Sequence, residues 1–311
     1  MTEEKSYAQM RREFQDKFQN ELSPFLRKYE ERRKKLLSTN KIMYFVAVAV
    51  AVLLWFVGGP IIGFIIYVVA NHKRKEFETE IKKRVMPVIC SCLGDIKWQN
   101  AVDYYREMFE EKIWTGAVGD YMHVSETGLL GYFSLVKYDD MFSGNFKNVD
   151  FQIVESHYVV QSSKRTRTVF KGIIVKVDMN KNFTGNTVVR ANNAYAKQDI
   201  PKGLKRTILE DVQFEKQYYV YTNDEVEARY LLTPAFMERL NNVKTAFNGK
   251  VLCAFYRNAL YIGIEHSKDA FALCDLNRPM DDAYQYYKLY DEISSIYKMI
   301  DHLKLDQKIG L

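Results

Sequence analysis

The sequence WFVGGPII, residues 55–62, places two glycines and a proline among apolar residues. It lies inside an uncharged run, Ile42–Ala70, which is longer than the ~20 residues that an α-helix needs to cross ~30 Å of hydrocarbon. Glycine is favoured just past a helix end and proline in the first turn of the next helix, so Gly58, Gly59 and Pro60 are typical of a helix break. We therefore predict a membrane segment at 42–70, either a helical hairpin broken at these three residues or one long tilted span.

The charges beside this segment favour the hairpin. Positively charged residues flank membrane helices on the cytoplasmic side, and here they are almost equally numerous before and after the run. A hairpin keeps both flanks on one side, although its turn would lie in lipid, where backbone groups need partners. The flanking residues are Arg27, Lys28, Arg32, Arg33, Lys34, Lys35 and Lys41 before the run, and Lys73, Arg74, Lys75, Lys82, Lys83 and Arg84 after it.

Charged amphipathic helices are predicted on both sides, over residues 1–41 and 71–98. In the first, apolar side chains recur at steps of three and four residues, as at Met10, Phe14 and Phe18. The second carries a similar stripe. Each stripe has two interpretations, the contact face of a helical stalk or an oligomerisation coiled coil.

From residue 99 to 311 the periodicity becomes strand-like, and we predict an α+β domain with a largely antiparallel sheet and two packed helices. Residues 149–160 and 168–178 are rich in β-branched and aromatic side chains, so they should pair as a hairpin around the polar stretch between them. Further predicted elements are strands or turns at 120–130, 185–191, 205–224, 251–265 and 270–274, and helices that begin at Pro234 and near Pro279.

Three segments of this domain resemble a known family. They are KRTRTVFKGIIVKVDMNKNFTGNTVV (164–189), EARYLLTPAFMERL (227–240) and IDHLKLD (300–306). They resemble the bacterial domain of unknown function 3137, whose members are sometimes machine-labelled galanin, and the N-terminal order of charged helix, apolar segment and charged helix fits as well. The resemblance implies a bacterial membrane-associated protein with a cytoplasmic domain, and we predict that it lies in the inner membrane with its main domain facing the cytoplasm. It implies no catalytic residues.

No catalytic or cofactor motif occurs in the sequence. There is no Walker loop, GxGxxG or GxSxG, the histidines form no close pair, and the adjacent acids Asp139 and Asp140 are expected in a solvated loop. We expect no cofactor and no metal, and the cysteines, which lack zinc-site spacing, are expected to be reduced thiols: Cys90, Cys92, Cys253 and Cys274. The enzyme alternative needs a site assembled from distant residues, such as His123, His157, Asp178 and Glu227.

The best candidate for binding is a basic hairpin tip. Lys164, Arg165 and Arg167 alternate with hydroxyl groups, and Lys171 follows on the strand, which suits phosphate oxygens of lipid headgroups or an acidic partner. Nucleic acid is not expected, because the aromatic residues lie on apolar faces rather than among the basic ones. The sequence thus predicts a membrane-anchored binding or scaffolding module for protein, lipid headgroup or small ligand. Its partners would be membrane lipid and a protein or a second copy bound through the N-terminal helices.

Overall fold

The structure, a computed structural model, describes residues 5–109, 117–179, 183–192, 199–247, 249–267, 269–273 and 275–303. The described chain is α+β, which confirms the predicted fold class. It divides into two compact units. We call residues 1–94 with 272–292 the helical unit, and residues 95–271 with 293–311 the sheet unit. Cys274 lies outside the described residues.

Long helices form the helical unit. They are α1 (Tyr7–Lys17), α2 (Ser23–Leu53) and α3 (Gly59–Leu93), together with the first half of the last helix, which spans Ala283–His302. A π-helical turn, Phe18–Leu22, joins α1 to α2 without a break. The helix that starts at residue 7 therefore continues into the apolar run, and the predicted boundary at residue 41 lies inside it.

The N-terminal helix passes through Pro24 without ending. Proline lacks an N–H group and crowds the preceding turn, so a Ser-Pro pair usually kinks or restarts a helix. Here the N–H of Ser23 donates to the carbonyl of Phe18, five residues earlier. This wider turn accommodates the proline ring while the helix axis continues.

The charged helix predicted for residues 71–98 ends earlier, at Leu93. Gly94 adopts φ +123°, a backbone conformation that residues other than glycine rarely adopt. This conformation turns the chain out of the helix. Residues Ile96–Asn100 then form the strand β1 instead of a last helical turn. The prediction was wrong there because the apolar stripe continues to Ile96 although the backbone changes at the glycine.

The apolar stripe of α1 is covered within the helical unit. Phe14 is fully buried, and its ring stacks on that of Tyr290 with 4.7 Å between centroids. Arg11 forms an ion pair of 2.7 Å with Asp291 beside this contact. Residues 272–292, which the sequence analysis places in the C-terminal domain, therefore pack with the N-terminal helices.

Ten strands of the described residues form one antiparallel sheet in the sheet unit. The short strand β2 (Ala117–Val118) pairs with β3 only. Across the sheet, the other strands follow the order β1, β3 (Leu135–Phe146), β4 (Val149–Gln161), β5 (Thr166–Asp178), β10 (Ala259–Glu265), β9 (Val251–Tyr256), β6 (Thr187–Ala191), β8 (Tyr218–Thr222) and β7 (Lys205–Thr207).

The sheet unit holds more helices than the two predicted. Residues 120–130, predicted as a strand and turn, contain a helical turn because the carboxylate of Asp120 accepts hydrogen bonds from the N–H groups of Val124 and Ser125. Residues 270–273, predicted as a strand, pair with no other strand of the described chain. The helices are α4 (Ala101–Phe109), α5 (Val124–Thr127), α6 (Val212–Gln217), α7 (Glu225–Leu231), α8 (Pro234–Phe247) and the second half of α9 (Ala283–His302).

Candidate functional site

The uncharged run reverses direction at its glycines. α2 ends at Leu53, a short 3₁₀ turn follows, and Gly58 takes the left-handed conformation with φ +90°. α3 begins at Gly59, with Pro60 in its first turn. Only glycine adopts such a φ without strain, and proline's fixed φ suits a first helical turn. We call the two antiparallel helices between residues 42 and 70 the apolar hairpin.

The two helices of the apolar hairpin touch through their backbones. A Cβ atom on Gly59 would lie 2.4 Å from the carbonyl oxygen of Val50, and one on Gly63 would lie 2.5 Å from that of Ala47. Small residues at helix contacts are typical of helices that associate in lipid, where dispersion rather than water drives packing. This contact therefore leaves no room for a side chain at either glycine.

Polar side chains close the open end of the apolar hairpin. The amide of Asn40, which is buried, donates to the carbonyl of Ala70 over 3.2 Å. The hydroxyl of Tyr44 donates to the side-chain oxygen of Asn71 over 3.1 Å. These bonds hold the two chains together at the level where charged residues begin.

The outer surface of the apolar hairpin is exposed. Phe56, at the turn, is 98% exposed. Large exposed apolar surfaces mark membrane or partner contacts, because water disfavours them. Of the helices in the described residues, only Tyr7–Leu53 is long and apolar enough to cross a membrane, judged by its length and composition. Other exposed apolar side chains include Ile42, Phe45, Val48, Val52, Leu53, Trp55, Val57, Ile61, Phe64 and Ile65.

The basic tip joins β4 to β5. The hydroxyl of Ser162 donates to the carbonyl of Arg165 over 2.8 Å and thereby tightens the turn. The side chains of Lys164 and Arg165 are exposed and form no ion pair or hydrogen bond with any described residue. Both charges are therefore available to an external anion.

The other two predicted cations lie on opposite faces of the sheet. Residues directly opposite each other in an antiparallel pair share a face, and neighbours along a strand alternate. On β5, Arg167 lies opposite Val160 of β4, and Lys171 lies opposite His157 of β4. Val160 and His157 are separated by an odd number of positions along β4, so they lie on opposite faces, and so do their partners. Lys171 also donates to the carbonyl of Ser267 over 3.0 Å. The structure thus brings Lys164 and Arg165 together but separates Lys171 from Arg167.

A basic row that the sequence analysis missed crosses three strands. Lys137 on β3, His157 on β4 and Lys171 on β5 are successive partners in the sheet. Burial lowers the pKa of His157, and the charges of the two lysines lower it further. The row was missed because β3 was not predicted. The alternation of Lys137 with apolar residues on either side is the signal that would have revealed it.

The four residues of the enzyme alternative do not meet. Each has a different neighbour, and none forms a hydrogen bond or ion pair with another of the four within the described chain. A cavity of about 290 Å³ beside Tyr218 has three lysines among its lining residues and none of the four. The neighbours are Glu126 for His123, Thr168 for His157, Lys176 for Asp178, and the N–H groups of Thr184 and Gly185 for Glu227.

Comparisons with known proteins support the resemblance found in the sequence. Residues 168–305, less than half of the chain, match the family model described as "Protein of unknown function (DUF3137)", which confirms that prediction. No curated protein matches the chain. The crystal structure of the mycobacterial trehalose monomycolate transport factor A, TtfA, is similar with a TM-score of 0.31 and 6% identity, over 65% of this chain and 93% of that one. A TM-score this low supports no inference about fold or function.

Proposed function

We propose that the chain is a protein of the bacterial inner membrane whose apolar hairpin inserts in the bilayer and whose sheet unit is a cytoplasmic binding module. The observation that carries the proposal is the exposed apolar surface of a hairpin whose two helices are joined by glycine contacts. Transfer of apolar surface from water to hydrocarbon is favourable by ~25 cal/mol per Å². Basic residues on both sides of the run favour the cytoplasmic face for both ends.

The turn of the apolar hairpin fits a lipid environment. Backbone groups in hydrocarbon must be satisfied within the protein. The carbonyl of Leu54 accepts hydrogen bonds from the N–H groups of Val57 and Gly59, and the carbonyl of Gly58 accepts one from Ile61. Pro60 has no N–H group to satisfy. The backbone cost that opposes a turn in lipid is therefore reduced.

The length of the hairpin favours a re-entrant arrangement. Its helical arms, residues 42–53 of α2 and 59–70 of α3, each extend about 18 Å at 1.5 Å per residue. The hydrocarbon core is ~30 Å thick. Each arm therefore reaches past the middle of the bilayer without crossing it, and the tip at Trp55 and Phe56 would lie inside the hydrocarbon.

Fluorescence quenching of Trp55 tests this arrangement. The full chain, with the other two tryptophans replaced by Phe, is reconstituted in vesicles of lipids brominated at different depths. We expect bromines deep in the acyl chains to quench Trp55 most strongly. Strongest quenching by bromines next to the headgroups would contradict the re-entrant depth, and the absence of quenching at every depth would contradict insertion.

The pairing of the charged side chains favours a binding function over a catalytic one. Lys164 and Arg165 have no partner among the described residues, whereas His123, Asp178 and Glu227 each have one. Exposed, unpaired cations beside hydroxyl groups suit the phosphate of an anionic lipid headgroup. We therefore assign the basic tip to anionic lipid. Because the stripe of α1 is already covered, a second copy of the chain would have to bind through another surface.

A further inference from the structure

Three carboxylates converge inside the sheet unit. Asp140 on β3, Glu155 on β4 and Asp269 after β10 each offer an oxygen, and these oxygens all lie within 4.8 Å of one another. Asp140 is fully buried and Glu155 is 7% exposed, whereas Asp269 is exposed. The cluster therefore lies at the edge of the protein interior and is accessible to solvent on the side of Asp269.

An irregularity in β3 places Asp140 inside. The pairing of β3 with β4 shifts between Tyr138 and Met141, so that Asp139 and Asp140 occupy a β-bulge. The carboxylate of Asp140 accepts a hydrogen bond of 2.8 Å from the indole N–H of Trp98 on β1. The expectation that Asp139 and Asp140 lie in a solvated loop is therefore wrong for Asp140, because the bulge turns it toward the neighbouring strand.

Glu155 has an oxygen that nothing in the described chain satisfies. Its Oε1 accepts a hydrogen bond of 3.0 Å from the N–H of Ala270, but its Oε2 is buried and has no hydrogen-bond partner among the described residues. Buried carboxylates normally have partners, because an unpaired one is unfavourable in a medium of low polarity. An interaction with a positive charge would satisfy this oxygen.

We propose that Asp140, Glu155 and Asp269 bind one divalent cation that prefers oxygen ligands, Ca²⁺ or Mg²⁺. Carboxylate oxygens are the ligands that these hard cations take. The three oxygens all lie within 4.8 Å of one another, which is close enough for one cation to contact all three, since oxygen ligands on opposite sides of Ca²⁺ are about 4.6–5.2 Å apart.

The cation would connect a loop to the sheet. Asp269 and Ala270 belong to the segment that follows β10, and Phe271 packs edge-on against Phe142 of β3 with 4.8 Å between ring centroids. Glu155 already holds this segment through Ala270. A cation shared by the two strands and Asp269 adds a second link, so its binding should stabilise the sheet unit.

Terbium luminescence tests the site, because Tb³⁺ replaces Ca²⁺ and is excited by energy transfer from a nearby indole. The full chain in detergent is first treated with a chelator. We expect excitation of tryptophan to produce Tb³⁺ emission, and added Ca²⁺ to abolish that emission by displacing Tb³⁺. In Trp98→Phe the emission should be lost, although calorimetry should still detect Ca²⁺ binding. Glu155→Gln and Asp269→Asn should each weaken Ca²⁺ binding at least tenfold, whereas the exposed control Asp178→Asn should leave it unchanged.

Parallel titrations with Ca²⁺ and Mg²⁺ identify the preferred ion, and tighter binding of either one supports the site. Asp269→Asn keeps the test valid if Glu155→Gln fails to fold, because Asp269 is exposed. Folded wild-type protein that shows no heat with either ion and no Tb³⁺ emission would overturn the proposal. Binding that survives both substitutions would overturn it as well, because the ion would then lie elsewhere.

Discussion

The carbonyl oxygen of Ala47 occupies the space that a Cβ atom of Gly63 would need, since an added Cβ would approach that oxygen to 2.5 Å. Backbone atoms cannot rotate away as the end of a side chain can. Any residue larger than glycine at position 63 must therefore separate the two helices. The same holds at Gly59 beside Val50.

Gly63→Val should destabilise the apolar hairpin by about 1–3 kcal/mol, the usual cost of overpacking. The measurement is the free energy of unfolding of the full chain in detergent, from a denaturant titration. Ile62→Val is the matched control, because Ile62 lies next to Gly63 but is 45% exposed. Equal effects of the two substitutions would show that the glycine contact does not hold the hairpin together.

Both ends of the apolar hairpin should face the same compartment. Single cysteines placed at Ser38 and at Lys75, in a variant whose native cysteines are replaced by Ala, should react with a membrane-impermeant maleimide from the same side of inner-membrane vesicles. The physical reason is that the chain reverses at Gly58, and the apolar part of each helix, about 18 Å long, is shorter than the ~30 Å hydrocarbon core. Labelling from opposite sides would establish a single span and end the hairpin arrangement.

The basic tip should become protected only beside anionic lipid. In full-length protein reconstituted in nanodiscs, we expect slower amide hydrogen exchange over residues 162–167 with phosphatidylglycerol than with phosphatidylcholine, because only the former attracts Lys164 and Arg165. Arg165→Glu should abolish the difference. Lys202→Glu, an exposed reversal on another loop, should preserve it. Identical exchange in both lipids would exclude this role for the tip.

His157 should remain neutral to lower pH than an ordinary histidine, since burial and the charges of Lys171 and Lys137 lower its pKa. Because the folded pKa is below the unfolded value of about 6.5, the stability from neutral His157 is present above pH ~6.5 and is lost as the pH falls through the folded pKa. NMR titration of the imidazole in the full chain should show this. Lys171→Met should raise the pKa toward its usual value.

Lys176→Met is the control for this titration. Lys176 lies on the same strand as Lys171, five positions further along the chain, and is therefore on the other face of the sheet. Its partner on β4 is Gln152, not His157. Its loss should leave the pKa of His157 unchanged. A shift of the same size in both variants would mean that net charge, and not the row of adjacent cations, controls the histidine.

Features that depend on residues close together in the chain could be predicted from local sequence patterns. The break between α2 and α3 follows from the left-handed φ of Gly58 and the proline that opens the next helix. Strands β4 and β5 follow from β-branched and aromatic residues in continuous runs. The limit of this local information is visible in β3, where Asp139 and Asp140 interrupt the alternation because a bulge inserts them into the strand.

Contacts between residues that are distant in the chain could not be predicted from these local patterns. Nothing near Asp140 in the chain indicates that Glu155 and Asp269 lie beside it, or that Phe14 stacks on Tyr290. Local patterns indicate which face of a helix or strand is apolar. The register between strands, and the element against which each helix packs, are set by the packing of all elements together. The carboxylate cluster exists because three separate segments are held at one place in the sheet unit.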